Sequence, residues 1–287
     1  VRPLVALALL GGLALPGSPT PPPAHLIRYE IVESRRALTP RGERDSTLAG
    51  TVLVAGERAR WDLVAGAFPR SRATAALADR GGLTLLDMRE GLAAAASRED
   101  FEALFIPKAA ESAAAAPLVR DLTASVRADG AGRIFEEMPT ARWRVELKWT
   151  LVVMLPGGIS SVRHTTRGTI ETAEVSEARS PFDDLSRLFA ARGEAREALE
   201  AELGKVAGLP VAVFLESTAE SSGQAVASAA AAGTAERPFT TTTTVKRVVS
   251  KLVRGRLRPQ DEVLFTVPSG FKSRGLERLL LDGPGLP

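Results

Sequence analysis

The chain has 287 residues, of which 45% are hydrophobic and 25% charged, so it is a globular protein and not a disordered one. Its net charge is only +3 although the pI is near 9.6. The basic residues are mostly arginines scattered through an alanine-rich chain, a pattern that argues against the clustered face of a nucleic-acid binder. Cysteine is absent, which excludes a disulfide framework, thiol chemistry, most structural zinc sites and an acyl-anchoring lipobox.

The first segment, "VRPLVALALLGGLALPGSPTPPPAH", carries one arginine, about a dozen apolar residues and then a proline-rich stretch. This predicts a secretory signal and proline-rich segment over residues 1–24, too short to span a bilayer. The mature chain, 25–287, is expected as a single exported domain, periplasmic or secreted, with no transmembrane span once the signal is removed. No convincing linker follows the signal.

From there the chain reads mostly with period two, the pattern of half-buried strands. Leu26 to Ser34 is the first strand candidate, with Ile27, Tyr29 and Ile31 on one face. Thr51 to Val54 and Arg58 to Val64 predict a hairpin around "AGE", in which Ala59, Trp61 and Leu63 alternate with Arg58, Arg60 and Asp62. Ala73 to Ala78, "DRGG" and Leu83 to Asp87 repeat the plan, since paired glycines permit a tight turn.

"SREDFEALF" then opens with the Ser97-to-Asp100 spacing of a capping box and predicts a short helix. Leu118 to Val126 and Ile134 to Phe135 are expected to flank "ADGAG" as another hairpin. The strongest strand is Arg142 to Leu155. Trp143, Val145, Leu147, Trp149, Leu151, Val153 and Leu155 fall on one face, and Arg142, Arg144, Glu146, Lys148 and Thr150 on the other. A "PGG" turn leads to a threonine-containing strand over Ser160 to Val175.

A helix is predicted from about Asp183 to Ala207, with Leu185, Leu188, Phe189, Leu199, Leu203 and Val206 at helical spacing; Gly193 weakens it, and Gly208 and Pro210 end it. Val211 to Ser217, Thr240 to Val253 and Val263 to Val267 complete the strands, and residues 219–238 form a low-complexity connection. The basic run "VKRVVSKLVRGRLR" from Val245 could face anionic headgroups, or it is a solvated strand face that protects an edge.

Residues able to do chemistry are few. There is no nucleophile elbow, P-loop or His-Glu-x-x-His motif. Asp183-Asp184 and Glu136-Glu137 could be nominated as acid-base pairs, although the first suits a helix N-terminus. The only histidines are His25 and His164. Were His25 the mature N-terminus, the two could form a copper-binding brace resembling that of the polysaccharide mono-oxygenases. Pro22 does not match the small-residue rule for such a cleavage site. No enzyme activity, metal or cofactor is therefore expected.

The chain ends near "FTVPSGFK", in which Phe265, Val267 and Phe271 flank a Pro-x-Gly turn. With the early hairpins "GTVLVAGERARWDL" and "ATAALADRGGLTLLDM", this closing segment resembles the periplasmic lipoprotein-carrier (LolA/LolB-like) fold and related secreted bacterial domains. The resemblance runs from about Leu26 to Phe271. It implies a mainly β (α+β) fold, an open antiparallel half-barrel sheet with a long helix and short helices packed on its concave side. It also implies a non-enzymatic binding protein that shields a lipid, acyl chain or other apolar ligand.

The apolar wall would comprise Trp61, Leu63, Trp143, Val145, Leu147, Trp149 and Leu151, under a helical lid of Leu185, Leu188, Phe189, Leu199 and Leu203. The same face would also be apolar if it simply packed on the helix. The alternative is accordingly an envelope structural or interaction protein with a closed core. The long central helix and the alanine-rich stretch depart from the carriers, and none of their functional residues can be matched to positions here.

Overall fold

The computed structural model describes residues 25–80, 82–105, 118–155, 158–175, 180–189, 191, 193–225 and 239–281. The segment 1–24, expected as a signal, and most of the low-complexity connection (226–238) lie outside them.

Six strands run from the centre of the sheet to one edge. They are β1 (His25–Thr39), β2 (Gly42–Ala55), β3 (Arg58–Ala65), β4 (Ala75–Asp79), β5 (Gly82–Asp87) and β6 (Leu92–Ala96). Helix α1 (Arg98–Ala103) follows, and the chain resumes at the opposite edge. There β7 (Leu118–Phe135), β8 (Met138–Leu155), β9 (Gly158–Ala173), β10 (Leu209–Ala225) and β11 (Phe239–Arg256) return to the centre, with helix α2 (Gly193–Leu203) between β9 and β10. A two-residue strand, β12 (Lys272–Ser273), lies beyond β6.

The twelve strands form one sheet, β12-β6-β5-β4-β3-β2-β1-β11-β10-β9-β8-β7, antiparallel except for the β12–β6 pair. The protein is mainly β and its sheet is open and half-barrel-like, as the sequence predicts; its helices are few and short. The seam at β1 and β11 joins the two meanders, pairing His25 with Arg256 and Leu38 with Thr242.

Local chemistry explains most turns. Gly56 (φ +59°) turns β2 into β3, and Gly82 (φ +135°) closes β4–β5. Ser97 accepts from the Asp100 amide while the Asp100 carboxylate accepts from the Ser97 amide, so the predicted capping box starts α1.

Three expectations are corrected. "ADGAG" is no hairpin tip. It lies within the single strand β7, where shifts of register around Ala128 and Ala131 absorb its glycines as bulges. The actual turn is Glu136-Glu137, both with positive φ (45° and 65°), as a two-residue hairpin requires. The long helix is also shorter than expected. Pro181–Asp183 and Ser186–Leu188 are 3-10 turns, and α2 begins only at Gly193, whose φ of +51° cannot continue a helix.

The third correction concerns the C-terminus: Pro259–Phe265 is a 3-10 helix and not a strand. It opens a strap across the outer face. Phe271 packs on Ala75, Leu77, Leu86 and Ala93, the outward residues of β4–β6. The strap then pairs as β12 with β6 and carries Leu276, Leu279 and Leu280 onto the inner face. Leu279 is wholly buried, and its carbonyl accepts from the Arg72 amide and the Ser71 hydroxyl. The sheet edge at β6 is thereby covered.

Candidate functional site

The inward residues of each strand follow from alternation, and together they make the concave face. Two apolar clusters occupy it. In the first, Trp61 of β3 meets Phe68 edge-on at 5.1 Å and Phe182 at 5.7 Å, and Phe101 of α1 continues the aromatic group. Leu63 packs against it, partly buried. In the second, Val145, Leu147, Trp149 and the part-buried Trp143 and Leu151 of β8 meet Leu185, Leu188, Phe189, Leu199, Leu203 and Val206.

The structure thus brings the β8 wall and the predicted lid together, and places Trp61 and Leu63 in a separate cluster with Phe182. Leu147, Ala195 and Leu199 have no exposed surface. Each leucine buried there stabilises by roughly 1.5–3 kcal/mol. The side chains of Val153 and Leu155 lie outside the described residues.

Between the clusters runs a buried ionic group that the sequence reading largely missed. Glu33 of β1 and Arg247 of β11 are direct cross-strand partners, both inward-facing and both buried. Arg187 pairs with Glu33 at 2.8 Å, and Asp183 pairs with Arg247. Asp183 also accepts from the Tyr29 hydroxyl (2.7 Å) and from the Ser180 hydroxyl and amide (2.8 and 3.0 Å). Arg187 stands over the Phe105 and Trp61 rings, 4.7 and 5.4 Å from their centroids.

Burial pushes the Glu33 carboxyl up, but Arg187 and its hydrogen bonds outweigh that and hold it below the usual carboxylate range. Burial raises the Tyr29 phenol well above its ordinary value, and neighbouring Asp183 adds to the rise, so Tyr29 is a neutral donor. The signal for this group was present in the alternation itself. Glu33 and Arg35 continue the inward series Ile27, Tyr29, Ile31, and Arg247 sits between Val245 and Val249, where apolar residues belong.

Asp183 and Asp184 are therefore engaged. Asp184 pairs with Arg98 and accepts from the Ser186 amide. The expectation that these acids serve a helix macrodipole is replaced by these specific partners. The basic run also divides between faces: Arg247 is buried while Lys246 is exposed, and Lys251, at an irregularity in the β1 pairing, is exposed too and pairs with Glu30. β10 flanks only the start of this run, as far as Val248; from Val249 to Arg256 the strand pairs with β1 alone, so that part of the run borders an unpaired strand side among the described residues.

The two histidines cannot meet. His25 is in register with Arg256, whereas His164 pairs through Ala219 with Thr241, near Thr39 at the far end of β1. That offset is on the order of 45 Å along the strands, so the copper brace is excluded by register. His164 instead stacks on Trp149, with ring centroids 4.0 Å apart and planes 7° from parallel. Burial pushes its pKa down to about 4. Among the described residues no cluster of His, Asp and Glu could hold a metal ion.

Beyond Arg35, toward the ends of β9–β11, the inner face changes character. Thr166, Ser217 and Thr243 form one cross-strand row, and His164, Ala219 and Thr241 the next. Most of these residues are half-buried, and the Thr166 and Ser217 hydroxyls bond at 2.9 Å. On the outer surface, a shallow cleft of about 380 Å³ is lined by Glu57, Arg58, Asp79 and Arg80. Glu57 pairs with Arg80 and Arg58 with Glu262, so its charges are locally compensated.

No protein-family model matches the chain, and comparison with curated proteins finds no relative. Among the described residues no helix is long and apolar enough to cross a membrane.

Proposed function

We propose that the protein is an exported, non-enzymatic binding protein that shields an acyl chain or other apolar ligand on the concave face of a LolA/LolB-like half-barrel. One observation carries this reading. The apolar inner face of β8–β11 is covered by a single connecting segment, 185–206, and not by a second sheet. Glycines with positive φ stand within and after that segment, Gly193 (+51°) and Gly208 (+87°), where backbone rotation costs least. A cover attached in this way can be displaced by an apolar ligand that replaces its contacts, since burial of apolar area needs little directional chemistry.

A second reading is an envelope interaction protein with a permanently packed core. The complete burial of Leu147 and Leu199 and the ion pairs Arg187–Glu33 and Asp183–Arg247 favour it.

The test is to express the exported form in a bacterial periplasm, purify it without detergent and analyse an organic extract by mass spectrometry. Stoichiometric co-purifying lipid, or saturable binding of added acyl chains, supports the carrier. A lipid-free protein that binds no added chain overturns it in favour of the packed module.

A further inference from the structure

The inner face holds three buried or enclosed guanidiniums in one group, Arg35, Arg187 and Arg247, against two carboxylates, Glu33 and Asp183. Both carboxylates are already committed, Glu33 to Arg187 and Asp183 to Arg247. Arg35 is left with one hydrogen bond, from Nη1 to the Phe105 carbonyl at 3.1 Å, and its Nη2 is shut from solvent with no partner among the described residues. A buried cation without its own counter-charge is costly. Burial, with repulsion from Arg187 opposing attraction from Glu33, accordingly lowers the proton affinity of Arg35.

Arg35 stands at the border of the hydroxyl-lined stretch. Its cross-strand partner is Val245; one row further along lies Ala37 beside Thr243, followed by Ser217 and Thr166. That row is about 7 Å away, within reach of a ligand's acid group. Across the strands in the other direction the same end of the sheet is apolar: Val119, Leu122 and Leu151 are part-buried, and Val162 pairs with Leu151. Trp149 and His164 stack between the two halves. This end of the inner face is therefore cationic and hydroxylated at β1, β11 and β10, and apolar at β7 and β8. Its span from β1 to β8 is four strand spacings, about 19 Å.

We propose that this end of the inner face binds an amphiphile with a monoanionic acid head, its carboxylate or phosphate on Arg35 Nη2 with Thr243 and Ser217 beside it, and its chain lying across Trp149 toward Leu151 and Leu122. The inference rests on the carrier reading and sharpens it from an apolar ligand to an acidic one. An uncharged lipid would leave Arg35 Nη2 unpaired, whereas an oxyanion gives it a charge-assisted hydrogen bond.

The experiment is calorimetric titration of the whole protein at pH 7.5 with dodecanoate, dodecan-1-ol and inorganic phosphate, repeated with Arg35→Gln and Arg35→Lys. Dodecanoate is expected to bind at least tenfold more tightly than the alcohol. Arg35→Gln should erase that gap while keeping the alcohol's affinity, and Arg35→Lys should retain part of it. Equal affinity for acid and alcohol in the unmodified protein overturns the headgroup site while leaving the carrier reading intact, and needs no variant. A gap that survives Arg35→Gln also overturns it. Phosphate binding as tightly as dodecanoate overturns the amphiphile in favour of a free-anion site. Binding of none of the three overturns the carrier reading itself, and this inference with it.

Discussion

Glu33 and Arg247 face each other across β1 and β11, yet each takes its ion pair from the segment that crosses the sheet. Arg187 comes down on Glu33 and Asp183 on Arg247, so opposite charges on two strands are matched by opposite charges four residues apart. The arrangement fixes where the 180–189 segment lies against the seam. It also divides the interior into two apolar clusters.

Arg247→Met should destabilise the protein by about 3–5 kcal/mol, because it strands Asp183 in a dry site. Adding Asp183→Asn to that variant should cost much less than Asp183→Asn alone, as the two share one interaction. Urea unfolding of the four proteins in this cycle gives the coupling directly.

Stability should fall in two stages with acid. His164 has its pKa depressed from 6.5 to about 4 by burial. Its neutral form is favoured in the folded state, so its contribution is complete above pH 6.5 and is lost as pH falls toward 4. That shift corresponds to roughly 3 kcal/mol, reduced to about 2 kcal/mol by the partial exposure of the ring. Glu33 is also depressed, from 4.5, so its contribution is present above pH 4.5 and disappears at lower pH. His164→Phe keeps a ring on Trp149 and should flatten the upper stage only. Urea midpoints measured from pH 3 to 7.5 separate the two, and the C2 proton of His164 should titrate near pH 4 by NMR.

Gly50→Ala should be strongly destabilising, by about 2–3 kcal/mol or more. A Cβ there would lie 2.3 Å from the Asp62 carbonyl oxygen and 2.9 Å from Trp61 Nε1, and the carbonyl belongs to the paired strand. Gly56→Ala meets no neighbour and suffers only from its positive φ of +59°, so about 1 kcal/mol is expected. Thermal unfolding of both variants tests the ranking.

Leu279→Ala should cost about 2–5 kcal/mol, since a wholly buried side chain leaves a cavity beneath the strap. Phe271→Ser acts on the other face. It uncovers Leu77 and Leu86 and loosens β12 from β6, so the expected result is increased self-association at modest loss of stability. Chemical denaturation measures the first and analytical ultracentrifugation the second.

The amino-acid sequence by itself determined most of the strands, their inward and outward faces and the start of α1, but neither the continuity of β7 through Gly130 nor the 3-10 helix at Pro259–Phe265. Alternation in Trp143 to Leu151, the turn at Gly56 and the capping box at Ser97 act over a few residues, and local sterics and hydrogen bonds suffice to specify them. It also carried, unread, the charges of Glu33, Arg35 and Arg247 at positions where an apolar residue should stand.

Only the tertiary structure decided what those charges meet. β1 and β11 are brought into register from opposite ends of the chain, and neither strand's pattern states the other's offset. The same holds for the separation of His25 from His164 and for the path of Phe271 and Leu279 around the sheet edge. Gly193 could have continued a helix or broken it, and packing of Leu185, Leu188 and Phe189 onto β8–β11 selected the break. Short-range preferences choose an element; long-range pairing, paid for in loop entropy and recovered by burial, chooses its neighbours.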